Sequence, residues 1–149
     1  HDFRGRHLYL FFGFTECGGA CPVNMGYFRQ LSERLSRYQE EVAFAFISID
    51  PDRDTLERVR GFVQSYGRNI HGLISGEEDT RFVAGEFRSH FYSNPEDAKH
   101  KDSHPHYQIE HSGFIYLIDP EGNLVLVYPH QALEVEKMVR DYYKIAKRS

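Results

Sequence analysis

The chain has no tryptophan, only two cysteines in 149 residues, and no apolar run near the ~18 residues that a membrane-spanning helix requires. Each shortage excludes something. Two cysteines inside one short motif are not a disulfide framework. The 18 Lys and Arg fall short of the 22 Asp and Glu, a formal net charge of −4, so no basic field exists to hold nucleic acid. The chain opens on His1 rather than Met, and any targeting or anchoring segment is expected to have been removed ahead of it. What is present suits a folded protein: 40% hydrophobic and 27% charged residues, with a high 15% aromatic share. The length fits one domain with a real core, so residues 1–149 are expected to form a single domain.

"HLYLFF" (His7 to Phe12) and "VAFAFISI" (Val42 to Ile49) are near-continuous apolar runs, the pattern of strands buried on both faces. Between them Cys21, Met25, Phe28, Leu31, Leu35 and Tyr38 recur at three- and four-residue steps and predict an amphipathic helix. Such a strand–helix–strand unit is expected to be parallel and right-handed. "SIDPDRDT" ends the second strand, with Asp54 or Thr55 as cap for a helix whose inner face is Leu56, Val59, Phe62, Val63 and Tyr66. "HGLIS" (His71 to Ser75) reads as a short strand and "EEDTRFVAGEF" as a short helix. "SGFIYLI" (Ser112 to Ile118) is a third strand, "DPEGN" a turn, and "LVLVY" (Leu124 to Tyr128) its antiparallel return at the sheet edge. A last helix spans Gln131 to Ala146, with Val135, Met138, Val139, Tyr142 and Ile145 in phase. This order predicts an α/β, thioredoxin-like fold: a central mixed sheet flanked by helices on both faces, with a closing β-hairpin and a C-terminal helix. Arg88 to Glu110 shows no periodicity and reads as one long loop.

Both cysteines lie in "FFGFTECGGACPVNM", with Cys17 after the first strand and Cys21 in the first turn of the helix. Pro22 is tolerated there because early helical N–H groups lack partners. The positive end of the helix should favour thiolates, and Gly18 and Gly19 should let the backbone fold tightly between the sulfurs. Continued helically, positions i and i+4 share a face, so both sulfurs can meet at one spot. Soft thiolates there select Cu(I) first, with zinc as competitor. The bland alternatives are small packing residues or a stabilising disulfide, whose short loop would add little. A peroxide-reducing cysteine would want Thr three positions earlier, where Phe14 and Gly18 stand. Two thiolates leave a metal site incomplete. The turn entering the closing hairpin faces this helix in a thioredoxin-like sheet, and His111 occupies it. His90, His100, His104 and His106 form a second histidine group, read as a solvated loop rather than as a metal patch.

"FFGFTECGGACP", "FISIDPDRDT" and "EHSGFIYLIDPEG" together resemble the Sco/SenC family, the copper chaperones of cytochrome c oxidase assembly. The family's F-G-F-T-x-C-x-x-x-C-P motif, its D-P-x-R-D-T strand end and its histidine before a Y-L-I-x-P-x-G hairpin occur in order across most of the chain. The resemblance implies Cys17, Cys21 and His111 as ligands for copper, as Cu(I) and Cu(II). It implies delivery to the dinuclear copper site of cytochrome c oxidase subunit II, or to another copper-accepting protein. The alternative is a thiol–disulfide oxidoreductase that reduces partner cysteines with Cys17 and Cys21 as its redox pair. A copper donor protein or a thiol reductant would then be a further partner. The implied location is the periplasmic side of the bacterial inner membrane, or else the mitochondrial inner membrane facing the intermembrane space, with the full-length protein membrane-anchored. The chain departs from the family at Gly18-Gly19, where Pro-Asp is usual, at Glu16 for His and at Glu110 for Asp. The strands that normally precede the first motif, and the membrane anchor, are expected to be lacking.

Overall fold

Side chains along β1 (His7–Gly13) alternate between two apolar cores, Tyr9 and Phe11 entering one, Leu10 and Phe12 the other. That alternation is why the strand reads as a continuous apolar run. The structure, a computed structural model, describes residues 3–17, 20–87, 91–93, 109–111 and 113–147, and only the backbone of 20, 91–93 and 109–111. β1 lies at the centre of a five-stranded sheet. It pairs in parallel with β2 (Val42–Ser48), which pairs in parallel with β3 (Ile70–Leu73). On its other side β1 runs antiparallel to β6 (Ile115–Ile118), which continues into the edge strand β7 (Leu124–Tyr128). The sheet is therefore mixed and closed by a hairpin, as the sequence predicts.

Helices cover both faces. α1 (Ala20–Arg34), α2 (Leu56–Gln64) and α4 (Val135–Ala146) pack on the face that holds Tyr9 and Phe11. α3 (Glu77–Glu86) covers the other, with Ala84 in its core. Of the predicted stripe, Cys21, Met25, Phe28, Leu31 and Leu35 are buried but Tyr38 is only partly so, because the helix stops at Arg34 and a 3-10 turn over Ser36–Tyr38 follows. Burying each large side chain of that stripe contributes about 1.5–3 kcal/mol. Thr55, not Asp54, caps α2, its hydroxyl accepting from the Arg58 amide at 3.2 Å. Leu56 departs from the predicted inner face and is 41% exposed, because the buried stripe of α2 begins a turn later at Val59. The last helix likewise starts later than expected, after a 3-10 turn at His130–Ala132.

The segment read as one long loop contains strand. β4 (Phe91–Ser93) and β5 (Ile109–His111) form a separate antiparallel ribbon in which His111 opposes Phe91. Two three-residue strands are too short to leave a period in the sequence. Among the described residues, no helix is long and apolar enough to cross a membrane.

Candidate metal centre

The first strand ends at Gly13 and α1 begins at Ala20, so the cysteine motif crosses the end of the sheet where two parallel strands finish. Cys21 is wholly buried, whereas Cys17 is half-buried and packs against both cores at once. Both are free rather than joined in a disulfide, and they share a hydrogen bond. The two sulfurs meet, then, but not as two positions on one helix: Cys17 sits in the loop before α1, its amide donating to the Phe14 carbonyl at 3.2 Å. Gly18 and Gly19 lie outside the described residues.

The expected ease of ionisation is corrected for Cys21. Its thiol is held well above the ordinary value, first by the hydrogen bond its S–H donates to Cys17, then by burial and by negative charge at Cys17 and Asp54. A backbone hydrogen bond at Phe14 works the other way and does not prevail. The hydrogen bond to Cys17 and desolvation of a wholly buried sulfur together outweigh a helix terminus, whose influence is modest.

The loop before Cys17 is anchored by a buried carboxylate. Asp54, only 2% exposed, accepts from the Thr15 amide at 3.1 Å, the Thr15 hydroxyl at 2.5 Å and the Ser48 hydroxyl at 2.6 Å. A second layer surrounds Glu16, which accepts from Arg58 at 2.5 Å and Arg53 at 3.4 Å, while Arg53 also binds Asp50. The Arg53 guanidinium lies 5.4 Å from the Phe14 ring centroid. The charge of Glu16, next to Cys17, is thus matched by arginines from the β2–α2 connection and from α2 itself.

His111 stands in strand β5 rather than at a turn, and its side chain lies outside the described residues, as do His90, His100, His104 and His106. The chain just after it is fixed, however. The Asn24 side chain, fully buried in α1, donates from Nδ2 to the Gly113 carbonyl at 2.8 Å. Gly113 is two residues beyond His111, which keeps their Cα atoms within about 7 Å. Among the described residues no group of three His, Cys, Asp or Glu side chains surrounds a metal-sized space. Cys17 and Cys21 are two soft donors, and a metal held by them would need a further donor from elsewhere. Sequence reasoning passed over Gly13, Thr15, Ser48, Asn24 and His130, whose partners are distant along the chain.

A family model described as SCO1/SenC matches residues 1–147. Among curated proteins the chain is 30% identical over 121 residues to a SCO2-like protein of Rickettsia felis, covering 81% of this chain and 57% of that protein. It is 30% identical over 126 residues to the human mitochondrial SCO1 homolog, covering 83% of this chain and 40% of that protein. The chain thus spans little more than half the length of the first curated relatives it matches, 57% and 56%. Among solved structures, Arabidopsis thaliana ScoI with copper bound superposes at a TM-score of 0.83 with 26% identity, over 99% of this chain and 88% of that one. Yeast Sco1 with copper bound superposes at 0.76 with 26% identity, over 93% of this chain and 77% of that one. With a family model spanning nearly every residue and the thioredoxin-like fold shared, the chain belongs to the SCO1/SenC family.

Proposed function

We propose that this domain binds copper through Cys17, Cys21 and His111 and hands it to a copper-accepting protein, the dinuclear copper site of cytochrome c oxidase subunit II. The observation that carries the reading is the hydrogen bond between the two thiols, one in the first turn of α1 and one in the loop before it. Two sulfurs within hydrogen-bonding reach of each other can converge on one soft ion with little rearrangement, and thiolates prefer Cu(I). The copper held by the Arabidopsis and yeast relatives supports the same ion here. Copper is cargo in this scheme. Binding must release the thiol protons, since thiolates are the ligands. Imidazole from His111 adds a donor that also suits Cu(II). The proposed place of work is outside the cytoplasm, on the periplasmic side of a bacterial inner membrane with the full-length protein tethered there; the mitochondrial relatives are in keeping with a site outside the cytoplasm.

The same contact suits a second reading, a thiol–disulfide oxidoreductase. Joining Cys17 to Cys21 forms one S–S bond and passes two electrons and two protons to a partner disulfide, which opens to two thiols. Copper titration separates the readings. Reduced protein should take up one Cu(I), and Cys17→Ser or Cys21→Ser should abolish this. Wild-type copper retention in either variant would end the delivery reading.

A further inference from the structure

We propose that Asn24 is a positioning residue for the His111 arm, fixing the backbone that carries His111 against the helix that carries Cys21. This rests on the ligand set proposed above. In the β6–β7 ladder, Ile115 pairs with Tyr128. Continued outward by two residues, that register brings Gly113 opposite His130, where the hairpin ends and β5 leaves for its own ribbon. The Asn24 side chain fills the place of the missing rung. Its Nδ2 donates to the Gly113 carbonyl at 2.8 Å, and its Oδ1 lies 2.7 Å from His130 Nδ1.

The arrangement has one consistent polarity. A carbonyl can only accept, so the amide nitrogen must face Gly113 and Oδ1 must face His130. His130 therefore carries its proton on Nδ1, whether neutral or charged, and the amide cannot flip without losing the bond to Gly113. Gly113 adopts a φ of 63°, a left-handed conformation that suits glycine and turns its carbonyl toward the helix. Asn24 is fully buried, so neither bond is exchanged for water at low cost. One side chain of α1, a turn beyond Cys21, thus sets the separation between the thiols and the strand of His111.

Two variants divide the clamp. Asn24→Asp keeps an acceptor for His130 but loses the donor to Gly113, and His130→Ala removes the other arm at a partly exposed position. In metal-free protein, NMR should show the Asn24 side-chain amide protons and the His111 backbone amide exchanging slowly, and faster in His130→Ala. In loaded protein, Asn24→Asp should lower Cu(II) affinity about 10- to 100-fold, the range for lost outer-sphere partners, while Cu(I), held by two thiolates, stays near wild type. His130→Ala should shift the Cu(II)-to-Cu(I) affinity ratio in the same direction by less. It decides the matter if Asn24→Asp does not fold. A folded variant with the wild-type ratio, wild-type nitrogen couplings in the Cu(II) EPR spectrum and unchanged exchange would overturn the assignment. Wild-type protein without imidazole nitrogen couplings would instead remove His111 as a ligand, and the positioning role with it.

Discussion

Gly13 and Cys21 are in such close contact that a methyl group on Gly13 would stand 3.0 Å from the Cys21 sulfur and 2.8 Å from a ring carbon of Phe46. The strand therefore ends on a glycine for want of space, at the one point where a buried thiol must fit beneath two aromatic rings. Gly13→Ala should displace either the sulfur or the ring, at a cost of about 1–3 kcal/mol for overpacking. Urea unfolding measures the first effect and Cu(I) affinity the second. An alanine variant with wild-type stability and copper affinity would show that the sulfur has room to move.

Asp54 gives the second prediction. Its carboxylate holds the Thr15 amide and two hydroxyls, from Thr15 and Ser48. Asp54→Ala should destabilise by about 2–4 kcal/mol and Asp54→Asn by about half as much, since the amide keeps one acceptor oxygen. Released from its anchor, the loop should also expose Cys17 to faster alkylation. Equal alkylation rates in wild type and Asp54→Ala would mean that Cys17 is held by its own packing instead.

The parts of the fold that the sequence made legible are those with a strong period. β1 and β2 are apolar throughout because both faces are covered, and the α1 stripe is buried from Cys21 to Leu35. The thiol pair was legible too, as two cysteines at the junction of strand and helix. What stayed hidden depends on partners far along the chain. Asp54 passed for a capping residue because Thr15, its main partner, is 39 positions away. Asn24 and His130 are 106 apart and leave no local pattern. The raised pKa of Cys21 is hidden because local sequence shows the helix terminus but not the Cys17 hydrogen bond and the burial that oppose it.

His7 gives a pH dependence. It is 4% exposed, packs edge-on against Tyr142 at 5.4 Å between ring centroids, and its Nε2 has no partner among the described residues. Burial lowers its pKa below the usual 6.5, against the opposing pull of Asp119, Glu121 and Glu41. The unfolded chain therefore binds this proton first as pH falls. Stability is full above about 6.5 and declines below it, down to the folded value. Urea midpoints at pH 8 and pH 5 should differ, and His7→Phe should narrow the gap. A gap of the same size in His7→Phe would assign the acid sensitivity to other groups.

The choice between delivery and reduction turns on His111. As third ligand, its imidazole would complete a site that the thiols begin, and would matter most for Cu(II), because imidazole tolerates that state better than thiolate alone. Exchange chemistry needs only an attacking and a resolving thiol, so it makes no demand on His111. His111→Ala should therefore weaken Cu(II) binding strongly and Cu(I) binding less, while reduction of a small disulfide by Cys17 and Cys21 continues. The triple variant His100→Ala, His104→Ala and His106→Ala should leave the thiol site nearly unchanged, since the loop histidines are read as solvated. Copper affinity and disulfide reduction, measured side by side on both variants, give the comparison. If His111→Ala keeps wild-type copper affinity but loses exchange activity, His111 serves the thiols rather than the metal, and the oxidoreductase becomes the function of the pair.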